Sequence, residues 1–200
     1  MKFSEIRIGG FGGQGVILAA TVIGRAAAIH QNGYATMTQS FGPEARGGAC
    51  SAQVIFSDSP ILYPYVTRPD VLVVMSQEAY TRFTPELKDT SVLIVEQDLV
   101  RVSELKSGVR VYSVPATRLA EELGKKMVLN IVMTGFFGAV TGLLEKQALE
   151  GAVADSVPPA LQNLNLKAFH TGWEYGENLA VSPAAALETE HSRALLEGHP

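Results

Sequence analysis

One cysteine in 200 residues, Cys50, excludes an internal disulfide framework, and the lack of any C-x-x-C removes the spacing that holds zinc or an iron–sulfur cluster. Any electron-carrying cluster this chain works with is then expected on another polypeptide. Charge is scarce as well: Asp, Glu, Lys and Arg make up 18% of the residues, against about 25% in an average soluble domain. A surface that short of charge is expected to be covered in part by another subunit. The net charge of −4 and the pI near 5.6 leave no electrostatic footprint for nucleic acid, and no run of Lys and Arg suits an anionic membrane surface. The first eight residues carry Lys2, Glu5 and Arg7 and run into glycines, which is no secretory signal, so a cytoplasmic protein is expected. A long apolar run is nearly present at 127–144, which is free of charge, but Asn130, Thr134, Gly135, Gly138, Thr141 and Gly142 interrupt it. Spanning a bilayer takes about 20 mostly apolar residues, so this run reads as a buried or interfacial helix.

What remains is a chain of one-domain length that can bury roughly two-thirds of its extended surface. Continuous apolar runs at 71–75 and 92–95 suit parallel strands covered on both faces, and 109–114 is a further short strand. Residues 49–57 alternate enough to be a strand with one wetter face, antiparallel to a neighbour. Helices are expected over 16–28, from a Ser76 cap through about Arg82, over 117–123, over 127–146, over 147–156 up to Pro158 and Pro159, and over 165–179. Gln31, Asn32 and Gly33 stop the first of these, with Gly33 able to take a left-handed cap. Strands alternating with helices predict an α/β fold: a Rossmann-like open, mostly parallel sheet with helices on both faces and ligands at the carboxyl ends of its strands. The domain is expected over 1–180, with 181–200 as a tail or partner-binding arm.

Two glycine-rich stretches stand out. The first turns the opening strand into the opening helix, and Gly10, Gly12 and Gly15 within it satisfy G-x-G-x-x-G, with Gly13 and Gln14 between. Glycines let the backbone turn tightly and approach a ligand closely, while the first amides of the helix face whatever anion sits there. The nicotinamide version of this motif also needs an acid about 20 residues on, to hold ribose hydroxyls. The second strand, 34–39, ends without one. The second stretch is Ser40, Phe41, Gly42, Pro43, Glu44, Ala45, Arg46, Gly47 and Gly48. Its glycines leave the Arg46 guanidinium room to meet a phosphate or carboxylate as a fork, with Glu44 either holding it or solvated. Both stretches follow successive strands, so they are expected at one sheet edge, facing one pocket. Gln14 could present its amide to a ligand or cap the helix, and Asn130 either caps its helix or lies in the pocket.

Taken together, the two stretches resemble the gamma subunit of the 2-oxoacid:ferredoxin oxidoreductases, the group of pyruvate, 2-oxoglutarate and indolepyruvate enzymes, over about 6–175. The resemblance implies an oxidative decarboxylation of a 2-oxoacid to an acyl-coenzyme A and carbon dioxide, with reduction of ferredoxin, or its reverse. It places thiamine diphosphate with Mg and [4Fe-4S] clusters on alpha and beta partner subunits, or on a ferredoxin-like one, and not on this chain. It also implies that this chain helps shape the coenzyme A pocket. Carried onto this sequence, the pocket loops are Gly10, Gly12, Gly13, Gln14, Gly15, Ser40, Phe41, Gly42, Pro43, Glu44, Arg46, Gly47, Gly48 and Asn130, with no bond-making residue and no metal ligand among them. The other reading left by the residues is a free-standing nucleotide-binding or regulatory Rossmann-like module. His30 and His170 lack ligand spacing, Cys50 reads as a small buried residue, and Glu96 and Asp98 as loop caps.

Overall fold

The computed structural model describes residues 2–42, 48–103 and 105–181. At its centre is β1, Ser4–Phe11, whose two neighbours run in opposite senses. On one side lie β4 (Val71–Val74), β5 (Val92–Glu96) and β6 (Arg110–Val114), each parallel to the strand before it. On the other, β3 (Ala49–Ser57) pairs antiparallel with β1 from Ser4 opposite Phe56 to Phe11 opposite Ala49. The edge strand β2 (Tyr34–Phe41) pairs antiparallel with β3, giving the order β2-β3-β1-β4-β5-β6. Two antiparallel steps restore the direction, so β1 and β2 finish at the same rim as β4, β5 and β6.

Apolar patterning decides what covers each face. Ile6, Ile8, Val54, Val73 and Ile94 point to one side, into a core shared with α1 (Val16–Arg25), α4 (Leu129–Thr141), α5 (Lys146–Ser156) and α6 (Pro159–Val181). Leu72, Val74, Leu93 and Val95 point to the other, against Ala79, Tyr80 and Phe83 of α2 (Gln77–Phe83). Strands β4 and β5 are therefore buried on both faces, as their unbroken apolar sequence requires. The helix α3 (Ala116–Glu122) follows β6. Ser76 caps α2, its hydroxyl accepting from the Ala79 amide at 3.2 Å. The architecture is the mixed, mostly parallel Rossmann-like sheet that the alternation of elements predicts.

Helix ends depart from the sequence expectation for local reasons. Asn32, not Gly33, takes the left-handed conformation after α1 and its closing π-type turn Ala26–His30, with φ 53°; Asn tolerates this region because its short polar side chain bonds locally. The helix expected over 127–146 ends early, at Thr141, because Gly142 adopts φ 60°, and the helix expected over 147–156 is α5, which starts at Lys146. Pro159 opens α6 instead of only ending α5, since a first-turn proline lacks just an amide that has no helical partner.

The run 127–144 is internal over its middle, 128–138, while Met127 and Gly142 are exposed. Every residue from Leu129 to Gly138 is buried, and no helix among the described residues is long and apolar enough to cross a membrane. The glycines let α4 and α6 touch: a Cβ at Gly135 would collide with the Phe169 carbonyl, and one at Gly172 with that of Val132.

Candidate functional site

The glycine turn is held by side chains drawn from distant parts of the chain. Gln14 folds back so that its Oε1 accepts from the Phe11 amide at 2.7 Å, while its Nε2 donates to the Met75 carbonyl at 2.8 Å, just past β4. The side-chain amide thus ties the turn to the next strand. Gly13 and Gly15 sit at φ 97° and φ 75°, where a side chain would be strained. Asn130, 1% exposed, does not cap its own helix, which starts from Val128; its Nδ2 donates to the Gly15 carbonyl at 3.2 Å and joins α4 to the turn.

This scaffold leaves the start of α1 free for an anion. The first closing bond of the helix runs from the Ala19 amide to the Gly15 carbonyl at 3.0 Å, so the amides of residues 16–18 have no carbonyl of their own helix to meet. The first turn of α1 contains no acidic residue, so no residue of that turn opposes the positive end of the helix dipole. On the Cβ side of Gly13 no atom of the described residues lies within 4 Å. The arrangement can receive a phosphate or carboxylate.

The second stretch meets the first directly. The Gly12 amide donates to the Gly48 carbonyl at 2.9 Å, and the Gly42 amide to Ala49 at 2.7 Å, closing the hairpin between β2 and β3. Ser40 and Phe41 end β2 at the same rim, Phe41 opposite Cys50, which is itself opposite Gly10. Gly10, Gly12, Gly13, Gln14, Gly15, Ser40, Phe41, Gly42, Gly48 and Asn130 are thereby gathered at one end of the sheet. Pro43, Glu44, Arg46 and Gly47 lie outside the described residues.

The structure adds α2, which the sequence reading did not connect with the site. Glu78 and Arg82 line a groove with Gly10, Ser40, Gly42 and Cys50, and the Arg82 guanidinium lies over the Phe83 ring at 5.3 Å. The signal available was positional: α2 leaves β4 at the same rim. Burial pushes the Cys50 thiol above its ordinary value, which suits a packed residue. Glu96 is fully buried and caps two segments, accepting from the amides of Asp98 at 2.8 Å, Leu99 at 2.7 Å and Thr117 at 2.9 Å. Asp98 pairs with Arg118 at 2.8 Å, and His30 with Asp155 at 3.1 Å. Among the described residues no group of three His, Cys, Asp or Glu is placed to hold a metal.

An open α/β domain whose glycine turn shares a rim with a second glycine stretch falls in the Rossmann-like class. Residues 5–175 match the family described as pyruvate ferredoxin/flavodoxin oxidoreductase, and the chain belongs to that family. It is 45% identical over 177 residues to the 2-oxoglutarate synthase subunit KorC of Methanocaldococcus jannaschii, an alignment covering 88% of this chain and 95% of that one. Among solved structures it resembles the gamma subunit of the keto/oxoacid ferredoxin oxidoreductase from Geobacter sulfurreducens, with a TM-score of 0.77 and 38% identity over 88% of this chain and 99% of the other. The 2-oxoglutarate:ferredoxin oxidoreductase of Magnetococcus marinus, solved with 2-oxoglutarate, coenzyme A and succinyl-CoA bound, shares the fold at a TM-score of 0.76 and 22% identity. There the likeness spans 89% of this chain but 32% of that longer one.

Proposed function

We propose that this chain is the gamma subunit of a 2-oxoglutarate:ferredoxin oxidoreductase, and that its paired glycine loops form one wall of the coenzyme A pocket. The observation that carries the site is the hydrogen bond from Gly12 to Gly48, which joins the described end of the second stretch to the glycine turn at the start of α1, whose first turn holds no acidic residue. Coenzyme A brings a diphosphate and a 3′-phosphate. These suit free helix amides, and they make no use of the ribose-binding acid that the second strand lacks. The choice of 2-oxoglutarate over other 2-oxoacids rests on the name of the KorC relative and its near full-length alignment.

The remaining chemistry belongs to companion subunits. Thiamine diphosphate, Mg and the [4Fe-4S] clusters are placed on alpha, beta or ferredoxin-like partners, where the 2-oxoacid is decarboxylated and electrons leave for ferredoxin. This chain binds and orients the acyl acceptor and helps keep water from it, in the cytoplasm.

The assembled enzyme, purified through this chain, tests the reading. Ferredoxin reduction is expected to need both 2-oxoglutarate and coenzyme A, with pyruvate a poor substitute. Companion chains that use pyruvate equally well would remove the substrate assignment. Tight binding of a nicotinamide or flavin nucleotide by this chain alone, with no companions, would favour the free-standing module.

A further inference from the structure

Two polar groups in the groove beside the glycine turn lack the partners their surroundings would ordinarily supply. Ser51 lies opposite Gly9 and Ser40 opposite Ser51, so the three stand in one row across β1, β3 and β2, on the face that meets α2. Ser51 is only 8% exposed and lines the groove, and its hydroxyl makes no hydrogen bond among the described residues. Buried hydroxyls are normally paired. Gln53, two residues further along the same face, obeys that rule, its Oε1 accepting from the Val66 amide at 2.6 Å. Arg82 is the second group. It follows Glu78 by four residues, the spacing of a helical ion pair, yet its guanidinium lies over the Phe83 ring at 5.3 Å and meets no acid among the described residues. Arg7, over the same ring at 4.8 Å, pairs with Glu86 at 3.0 Å. Phe83 thus holds an unneutralised guanidinium at the wall of the groove.

The groove selects its ligand by exclusion. Arg82 calls for an anion, Glu78 for a hydroxyl or amine donor, and the Ser51 hydroxyl can serve either. A diphosphate or a carboxylate alone offers Glu78 no donor and is repelled by it. A neutral sugar leaves Arg82 unanswered. A ribose that carries a phosphate monoester beside a free hydroxyl satisfies both, and coenzyme A has that unit in its 3′-phosphate and 2′-hydroxyl. Resting on the function proposed above, we propose that this groove is the subsite for the 3′-phosphorylated ribose of coenzyme A. Arg82 pairs with the phosphate, Ser51 donates its hydroxyl to it, and Glu78 accepts from the neighbouring 2′-hydroxyl. The diphosphate is left to the glycine turn, which adjoins the groove at Gly10.

Turnover of the assembled enzyme with coenzyme A and with dephospho-coenzyme A, which lacks only the 3′-phosphate, reads this subsite. The parent is expected to have a KM about tenfold or more higher for dephospho-coenzyme A. Arg82→Gln should raise the KM for coenzyme A about tenfold, leave that for dephospho-coenzyme A within about twofold of the parent, and not alter the KM for the 2-oxoacid. Ser51→Ala should raise the KM for coenzyme A about fivefold and likewise spare dephospho-coenzyme A. Arg82 is exposed on α2, so its variant should melt within about 3 °C of the parent. A parent that uses both compounds equally well overturns the proposal, as does an Arg82→Gln enzyme in which both KM values rise by one factor or neither rises. Either result leaves the dependence on coenzyme A, and with it the functional reading, standing. Turnover by the parent that needs no coenzyme A defeats the functional reading as well.

Discussion

Gln14 shows how much one side chain can do at a turn without touching a ligand. Its amide satisfies the Phe11 N–H and the Met75 carbonyl at once, and leaving such groups unpaired costs about 1–3 kcal/mol. Gln14→Leu should therefore lower the unfolding free energy by an amount in that range, measured by urea denaturation, and raise the KM for coenzyme A in the assembled enzyme. Gly15 is constrained twice, by its positive φ and by Asn130, whose Cγ would lie 2.5 Å from an added Cβ. Gly15→Ala should cost about 1–2 kcal/mol for the backbone alone, plus the clash. The pair Gly15→Ala with Asn130→Ala should be less destabilised than the sum of the single variants, by about 0.5–3 kcal/mol; strict additivity would mean that the two residues do not meet. Cys50 gives a pH prediction. Its folded value is raised above the ordinary 9.0 by burial, so the stabilisation it lends is complete at neutral pH and is lost as pH climbs through the raised value. The unfolding free energy should fall in that alkaline window, and less so in Cys50→Ala. The sequence placed Gln14 and Asn130 near the turn but left their roles open, because their partners are 61 and 115 residues away and local pattern carries no trace of such pairings.

Elements were more legible than their ends. The unbroken apolar runs of β4 and β5 come from burial on both faces, so composition reports them directly; the alternation in β3 pointed to one wetter face, but Ser51 and Ser57 are buried along with Val54 and Phe56, because this strand too is covered on both sides. The stop at Gly142 and the left-handed Asn32 depend on single backbone torsions, which several sequences satisfy equally well. The glycines of α4 and α6 were visible as glycines, but the crossing they permit was not, since it pairs residues 34 and 40 positions apart: Gly135 with Phe169, and Gly172 with Val132. That crossing yields a prediction of opposite signs. Gly135→Ala places a methyl against a backbone carbonyl and should destabilise the fold by about 1–3 kcal/mol. Gly24→Ala, within α1, meets only the Val54 Cγ1 at 3.8 Å and should stabilise it by about 0.5–1 kcal/mol. Thermal unfolding of the two variants checks both, and a Gly135→Ala protein as stable as the parent would contradict the close packing.

At the scale of the whole molecule, the sheet brings the ends of two strands to one rim, at the start of a helix whose first turn holds no acidic residue. The sequence expectation reached that rim through successive parallel strands. The chain reaches it through an antiparallel β3 lying between β1 and β2, which preserves the direction of both. The pocket itself was less legible, since Glu78 and Arg82 reach it from α2.

A matched pair of glycine variants in the assembled enzyme tests the central claim most directly. Gly13 and Gly142 both have positive φ and no atom of the described residues within 4 Å of an added Cβ. Gly13 lies on the rim, while Gly142 ends α4, about 19 Å along the helix from its start beside Gly15. Alanine at either position carries the same backbone strain, about 1–2 kcal/mol. Gly13→Ala should raise the KM for coenzyme A by about tenfold, a loss of about 1.4 kcal/mol of binding, with the KM for the 2-oxoacid unchanged, whereas Gly142→Ala should leave both at their parent values. Equal coenzyme A dependence in the two variants would contradict the assignment of the glycine rim as the acyl-acceptor wall.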